Sequence, residues 1–113
     1  NSIESLVFCG KNLAVGGLDG TLEIWDVNAK VKRADMRFYS GIFKMLPDKN
    51  DSNFIFIGTL NEIYRLDIRT CTVVDSKKGH KSQILDFAIS SDSNFLITAS
   101  EDMNVCVFSF EKE

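Results

Sequence analysis

The chain repeats itself. Residues 13–26 read LAVGGLDGTLEIWD. Forty-one positions later, 54–67 read FIFIGTLNEIYRLD, and forty-two positions after that, 96–109 read LITASEDMNVCVFS. Each segment is an apolar run, a small or polar turn, and an alternating run. Leu22, Ile63 and Val105 fall in register, as do Trp25, Leu66 and Phe108. Gly17, Gly58 and Ser100 match just before the turn, and Asp26, Asp67 and Ser109 match at the end. A period near forty residues means stacked units, each burying its apolar face against a neighbour.

The unit is made of strands. The matched runs are short and rich in Val, Ile, Phe and Thr. Leu22-Glu23-Ile24-Trp25 and Val105-Cys106-Val107-Phe108 alternate with a period of two, not the 3.6 of a helix. Asp19-Gly20 is a tight-turn dipeptide between two such strands. An apolar run precedes each pair, at 6–8, 42–46 and 84–89, and a looser one such as Cys71-Thr72-Val73-Val74 follows. That makes four strands per period. Residues 28–38, NAKVKRADMRF, hold better helix formers than strand formers. Their place in the period nevertheless predicts an outer strand, because tertiary context overrides propensity.

Four short strands per repeat, together with Gly79-His80 and Trp25-Asp26, resemble the WD-repeat β-propeller family. The resemblance covers almost the whole chain, and residues 79–108 carry nearly the full pattern. It implies an all-β fold of propeller blades, each a four-stranded antiparallel sheet, as an incomplete ring. The expected divisions are 1–40, a degenerate blade at 41–78, and a blade at 79–113 lacking its outer strand. Closed propellers hold roughly four to eight blades. The expectation is therefore a segment of a larger propeller, completed by further blades or by copies of the chain. The absence of an initiating Met points the same way.

By the same resemblance, a His, a hydroxyl residue, an Asp and a Trp of one repeat form a buried hydrogen-bonded set. In the third repeat these are His80, Thr98 and Asp102, with Phe108 in the tryptophan place. In the first, Asp19 and Trp25 match, and Val15 replaces the hydroxyl. The second has Leu60 for the Asp and Leu66 for the Trp. The set is whole in none, so apolar packing is expected to supply most of the cohesion. Trp25 would fill the space between neighbouring sheets, its indole N–H reaching a buried partner.

Catalytic and metal readings find little support. His80 is the only histidine, and neither a nucleophile elbow nor a protease-like Cys pattern accompanies it. Glu101 and Asp102 are neighbours on one turn, not a facing pair. Asp48, Asp51 and Asp92 lack calcium-loop spacing, and no metal site is expected. Gly16-Gly17 and Gly20 precede neither Lys-Ser/Thr nor a helix, so no phosphate loop and no cofactor are expected. The cysteines, Cys9, Cys71 and Cys106, are odd in number and widely spaced, which suits buried free thiols in a reducing, intracellular setting.

The resemblance implies a non-catalytic protein-binding scaffold inside a multiprotein assembly. Loops on a rigid frame carry recognition. By position the docking face takes in Leu18, Thr59 and Glu101, each just before the turn-Asp place, with Ser82 and Gln83 near a first strand. The alternative is a nucleic-acid or phospholipid head-group binder using the basic loop with Lys77, Lys78 and Lys81. Against it, 13 basic and 16 acidic residues leave a net charge of −3, which offers no global field to phosphate polymers. No apolar stretch reaches the roughly 18 to 20 residues of a membrane span.

Overall fold

The computed structural model describes residues 3–78, 83–90 and 94–109. They form eleven strands in three antiparallel sheets. The first sheet holds β1 (Ile3–Cys9), β2 (Asn12–Gly17), β3 (Thr21–Asp26) and β4 (Val31–Arg37), in that order. The second holds β5 (Ile42–Pro47), β6 (Phe54–Thr59), β7 (Ile63–Asp67) and β8 (Thr72–Lys77). The third holds β9 (Ile84–Ile89), β10 (Phe95–Ser100) and β11 (Val105–Ser109). These are the meandering blades that the repeat predicts. Within the helix-forming stretch at 28–38, residues 31–37 form strand β4, which pairs with β3 on either side of a bulge at Arg33.

The sheets stack through alternating side chains. Leu22 and Ile24 of β3 point into a core shared with Ile42 and Met45 of β5 and with Ile55, Leu66 and Ile68. Phe56 and Ile63 point the other way, into a second core with Ile84, Phe87 and Leu96. The middle sheet is thus buried on both faces. Strand β5 touches both β1 and β9, so the first strands of the three sheets gather on the inner side. Two glycines allow the close approach. Gly16 lies against Ile42 and Met45, and Gly58 lies directly on the Phe87 ring, so a methyl group at either site would collide with the next sheet.

The observed pairing corrects one part of the repeat alignment. Gly16 pairs with Leu22, and Gly58 pairs with Ile63. Since Leu22 and Ile63 are equivalent, Gly58 answers to Gly16, not to Gly17. Gly17, which pairs with Ile3, is equivalent to Thr59, which pairs with Ile42. The β6–β7 turn is one residue shorter than the β2–β3 turn, which puts every residue of β6 one step out of the expected register.

Hydrogen bonds and ion pairs cross the sheet boundaries. The Met45 N–H donates to Ser5 Oγ at 3.0 Å. Lys44 Nζ meets Asp86 Oδ1 at 2.7 Å and the Phe87 carbonyl at 3.1 Å. The Phe43 and Phe87 rings meet edge-on at 6.1 Å. All three cysteines are free; Cys9 is buried, whereas Cys71 and Cys106 are half-buried.

Candidate functional site

The chain alternates between two rims. The upper rim carries the β2–β3, β4–β5, β6–β7 and β10–β11 connections, and the lower rim carries the β1–β2, β3–β4, β5–β6 and β7–β8 connections. The upper loops are tied down. Gly20 adopts a φ of 88°, which favours glycine, and closes its turn by donating to the Gly17 carbonyl at 3.0 Å. Asp19 Oδ1 accepts the Thr21 N–H at 3.0 Å, and this bond holds the Asp19 carboxyl below the ordinary carboxylate range. The Phe38 N–H then donates to the Gly20 carbonyl at 2.8 Å, and Gly41 packs against the backbone of Leu18. Between the second and third sheets the Ile84 N–H reaches the Leu60 carbonyl at 2.8 Å, and within the third the Glu101 N–H reaches the Gln83 carbonyl at 3.1 Å.

This frame presents large side chains to solvent. Leu18 is 53% exposed, Met103 is 92% exposed and Tyr39 is fully exposed. Glu101 and Gln83 are exposed beside them. Of the anticipated contact residues, Leu18, Glu101 and Gln83 therefore stand on the rim. Thr59 does not: it is 1% exposed. Its hydroxyl donates to the Glu62 carbonyl at 3.0 Å and accepts the Glu62 N–H at 3.2 Å, which closes the shortened turn from inside. The one-residue contraction moves the rim position to Leu60. Ser82 lies outside the described residues. The sequence reading passed over Tyr39 and Met103. Tyr39 follows Phe38 at the end of a strand, where an aromatic ring gives no sign of which way it faces.

Of the expected polar set, Thr98 and Asp102 fall among the described residues. Thr98 is wholly buried, while Asp102 is exposed and serves its own turn, accepting from the Ser100 hydroxyl and from the Asn104 N–H. His80 lies outside the described residues. In the first sheet the Trp25 indole N–H donates to Glu23 Oε1 at 3.0 Å, a half-buried neighbour on the same strand. Leu66 and Phe108, in the equivalent places, pack on the core shared with the preceding sheet. Trp25 projects from the corresponding face of the first sheet, beside Ile3, Leu13 and Val15. Of the basic loop, Lys77 faces Asp75 at 3.5 Å and Lys78 faces Glu62 at 3.9 Å. Lys81 lies outside the described residues. Among the described residues no three His, Cys, Asp or Glu side chains are grouped to hold a metal ion, and no helix is long and apolar enough to cross a membrane.

A family model described as WD domain, G-beta repeat matches residues 1–26 and 71–109, more than half of the chain. The chain belongs to the WD-repeat family. This WD-repeat chain is 37% identical over 115 residues to angio-associated migratory cell protein of Canis lupus familiaris and of Homo sapiens, covering 99% of itself and 26% of each relative. It is 30% identical over 95 residues to APC/C activator protein CDH1 of Saccharomyces cerevisiae, covering 80% of itself and 17% of that protein. It thus spans about a quarter or less of the length of these relatives. Its fold matches that of Saccharomyces cerevisiae Sqt1 with a TM-score of 0.86, over 98% of this chain and 32% of that one, at 22% identity. A chain of the mitotic checkpoint complex matches with a TM-score of 0.80 over 95% and 33%, at 21% identity. At those identities the likeness concerns the WD-repeat blade architecture alone.

Proposed function

We propose that this chain is a non-catalytic scaffold whose upper rim docks other proteins within a larger assembly. The observation that carries this reading is the combination of Leu18, Tyr39 and Met103 exposed on loops that backbone hydrogen bonds hold to neighbouring strands. Exposed aromatic and sulfur-bearing side chains on a rigid frame suit a protein interface, because such residues are enriched in interface cores and the backbone that carries them is already ordered. The solved neighbour in a mitotic checkpoint complex and the relative described as an APC/C activator protein lend support by analogy. We also propose that the outward faces of the first and third sheets seat further blades of the same kind. Trp25, Leu13 and Val15 line one face, and the exposed Ile97, Val105 and Val107 line the other.

The test compares proteins retained by the full chain with those retained by Tyr39→Ala and by Leu18→Ser with Met103→Ser. A defined subset should be lost from both variants at unchanged thermal midpoint, and its binding to the parent should persist in high salt. An identical retained set from parent and variants would refute the assignment to this rim. The alternative reading on phosphate polymers gains nothing here, since both described lysines of the basic loop already face carboxylates.

A further inference from the structure

At the lower rim, opposite the proposed docking surface, a pocket of about 320 Å³ opens between the first and second sheets. Its lining comes from separate segments: residues 9–12 around the first hairpin turn, Arg33 of β4, and Ser52, Asn53 and Arg69 of the second sheet's loops. Three of these residues are cations, Lys11, Arg33 and Arg69, and no carboxylate lines the pocket among the described residues.

The neighbours match this charge only in part. Arg33 Nη1 donates to Asn12 Oδ1 at 2.9 Å, a neutral acceptor that aims the guanidinium without neutralising it. Lys11 makes no ion pair among the described residues. Arg69 is held by Asp67 through Nε at 3.2 Å and Nη2 at 3.0 Å, so its charge is matched and its position fixed. Asp51, outside the lining, accepts the Asn53 N–H at 3.0 Å and adds to the negative charge around Arg69, so the unmatched positive charge is that of Arg33 and Lys11. Cys9 donates to the Phe54 carbonyl, and burial pushes its thiol up to about 11, so it adds no negative charge near neutrality.

Cations brought from separate strands to one concavity fit a compact anion with several acceptor oxygens, for which arginine is the better-shaped donor. A nucleic-acid backbone would call for a stripe of positive charge along a face, and here it is confined to one small recess. We propose that this pocket binds a phosphate monoester, with Arg33 and Lys11 donating to its oxygens and the Asp67-held Arg69 forming its far wall. The site is independent of the upper rim and of whatever docks there.

Calorimetric titration of the full chain with inorganic phosphate, and separately with a capped phosphoserine tripeptide, tests the proposal. Saturable binding is expected. Arg33→Gln and Lys11→Gln should each weaken it at least about tenfold, the loss of one charge-assisted hydrogen bond. Lys30→Gln, a charge change on the same rim outside the lining, should leave it unchanged. Both lining residues are exposed, so thermal midpoints should match the parent; if Arg33→Gln fails to fold, Lys11→Gln carries the comparison. Tighter binding of the peptide than of inorganic phosphate would support a monoester on a protein, and equal or weaker binding of the peptide would overturn the monoester in favour of the free ion. Absence of saturable phosphate binding, or an equal loss in Lys30→Gln, would overturn the proposal.

Discussion

Asp48 follows β5 at a position that reads as an ordinary turn aspartate, yet its side chain is wholly buried. Its Oδ2 lies 3.2 Å from Nη2 of Arg65, whose own side chain is only 11% exposed. The guanidinium stacks on Phe54 at 3.8 Å, and its Nε finds no hydrogen-bond partner among the described residues. Removing one member of such a pair strands a charge out of water, at a cost of about 3–5 kcal/mol. Asp48→Asn removes the charge while keeping an acceptor for the Asn50 N–H, which Asp48 Oδ1 binds at 2.9 Å. The loss should therefore fall near the low end, about 3 kcal/mol. Arg65→Met keeps much of the apolar stem but strands the carboxylate. In the double variant neither charge remains, so its cost should be at least about 2 kcal/mol less than the sum of the singles. Urea unfolding of the full chain at unchanged slope gives all three numbers. A loss under about 1 kcal/mol for Asp48→Asn, or additivity within about 0.5 kcal/mol, would show that the pair is not buried as described.

Phe87→Ala should cost about 3–5 kcal/mol in the same assay, because it empties the ring site beneath Gly58 and removes the edge contact with Phe43; a loss under about 1.5 kcal/mol would contradict the packing. Hydrogen bonds from the Arg69 side chain hold Asp67 below the ordinary carboxylate range, and the Lys44 ammonium does the same for Asp86. Their stabilisation is present above the unfolded-state value and lost as pH falls through the lower folded-state value. Carboxyl carbon shifts followed by NMR should show both groups titrating below free aspartate, and titration at or above that value would contradict the pairing. Burial, with Asp48 and Asp51 nearby, raises Cys9 to about 11, so iodoacetamide at pH 8 should leave it unmodified until urea unfolds the chain. Rapid native-state alkylation of Cys9 would contradict its placement.

The repeat made the strands, their order and the stacking legible, because a blade leaves its pattern in period-two alternation and in turn residues such as Asp19-Gly20. The second repeat was harder for a physical reason. Ile55, Phe56, Ile57, Gly58 and Thr59 are all buried, since the middle sheet has a neighbour on each face. A strand apolar on both faces carries no alternation to fix its phase. The missing residue in the β6–β7 turn was therefore invisible, and the coincidence of two glycines in β2 with one in β6 hid the slip. Thr59 was misplaced on the rim as a consequence. The Asp48–Arg65 pair joins residues seventeen positions apart on different segments, with no local pattern to announce it. Leu18 could be named from its place before a turn, whereas Tyr39 required the backbone to show which way a strand-end aromatic faces.

The central claim is that the first and second sheets each set a glycine near the end of their second strand against the first strand of the next sheet. Nuclear Overhauser spectroscopy of the full chain reads this directly. The Gly16 α-protons should show cross-peaks to the Ile42 γ2 and Met45 ε methyl groups, and the Gly58 α-protons to the Phe87 ring. Absence of both, or cross-peaks from Gly17 and Thr59 in their stead, would contradict the stacking and register described.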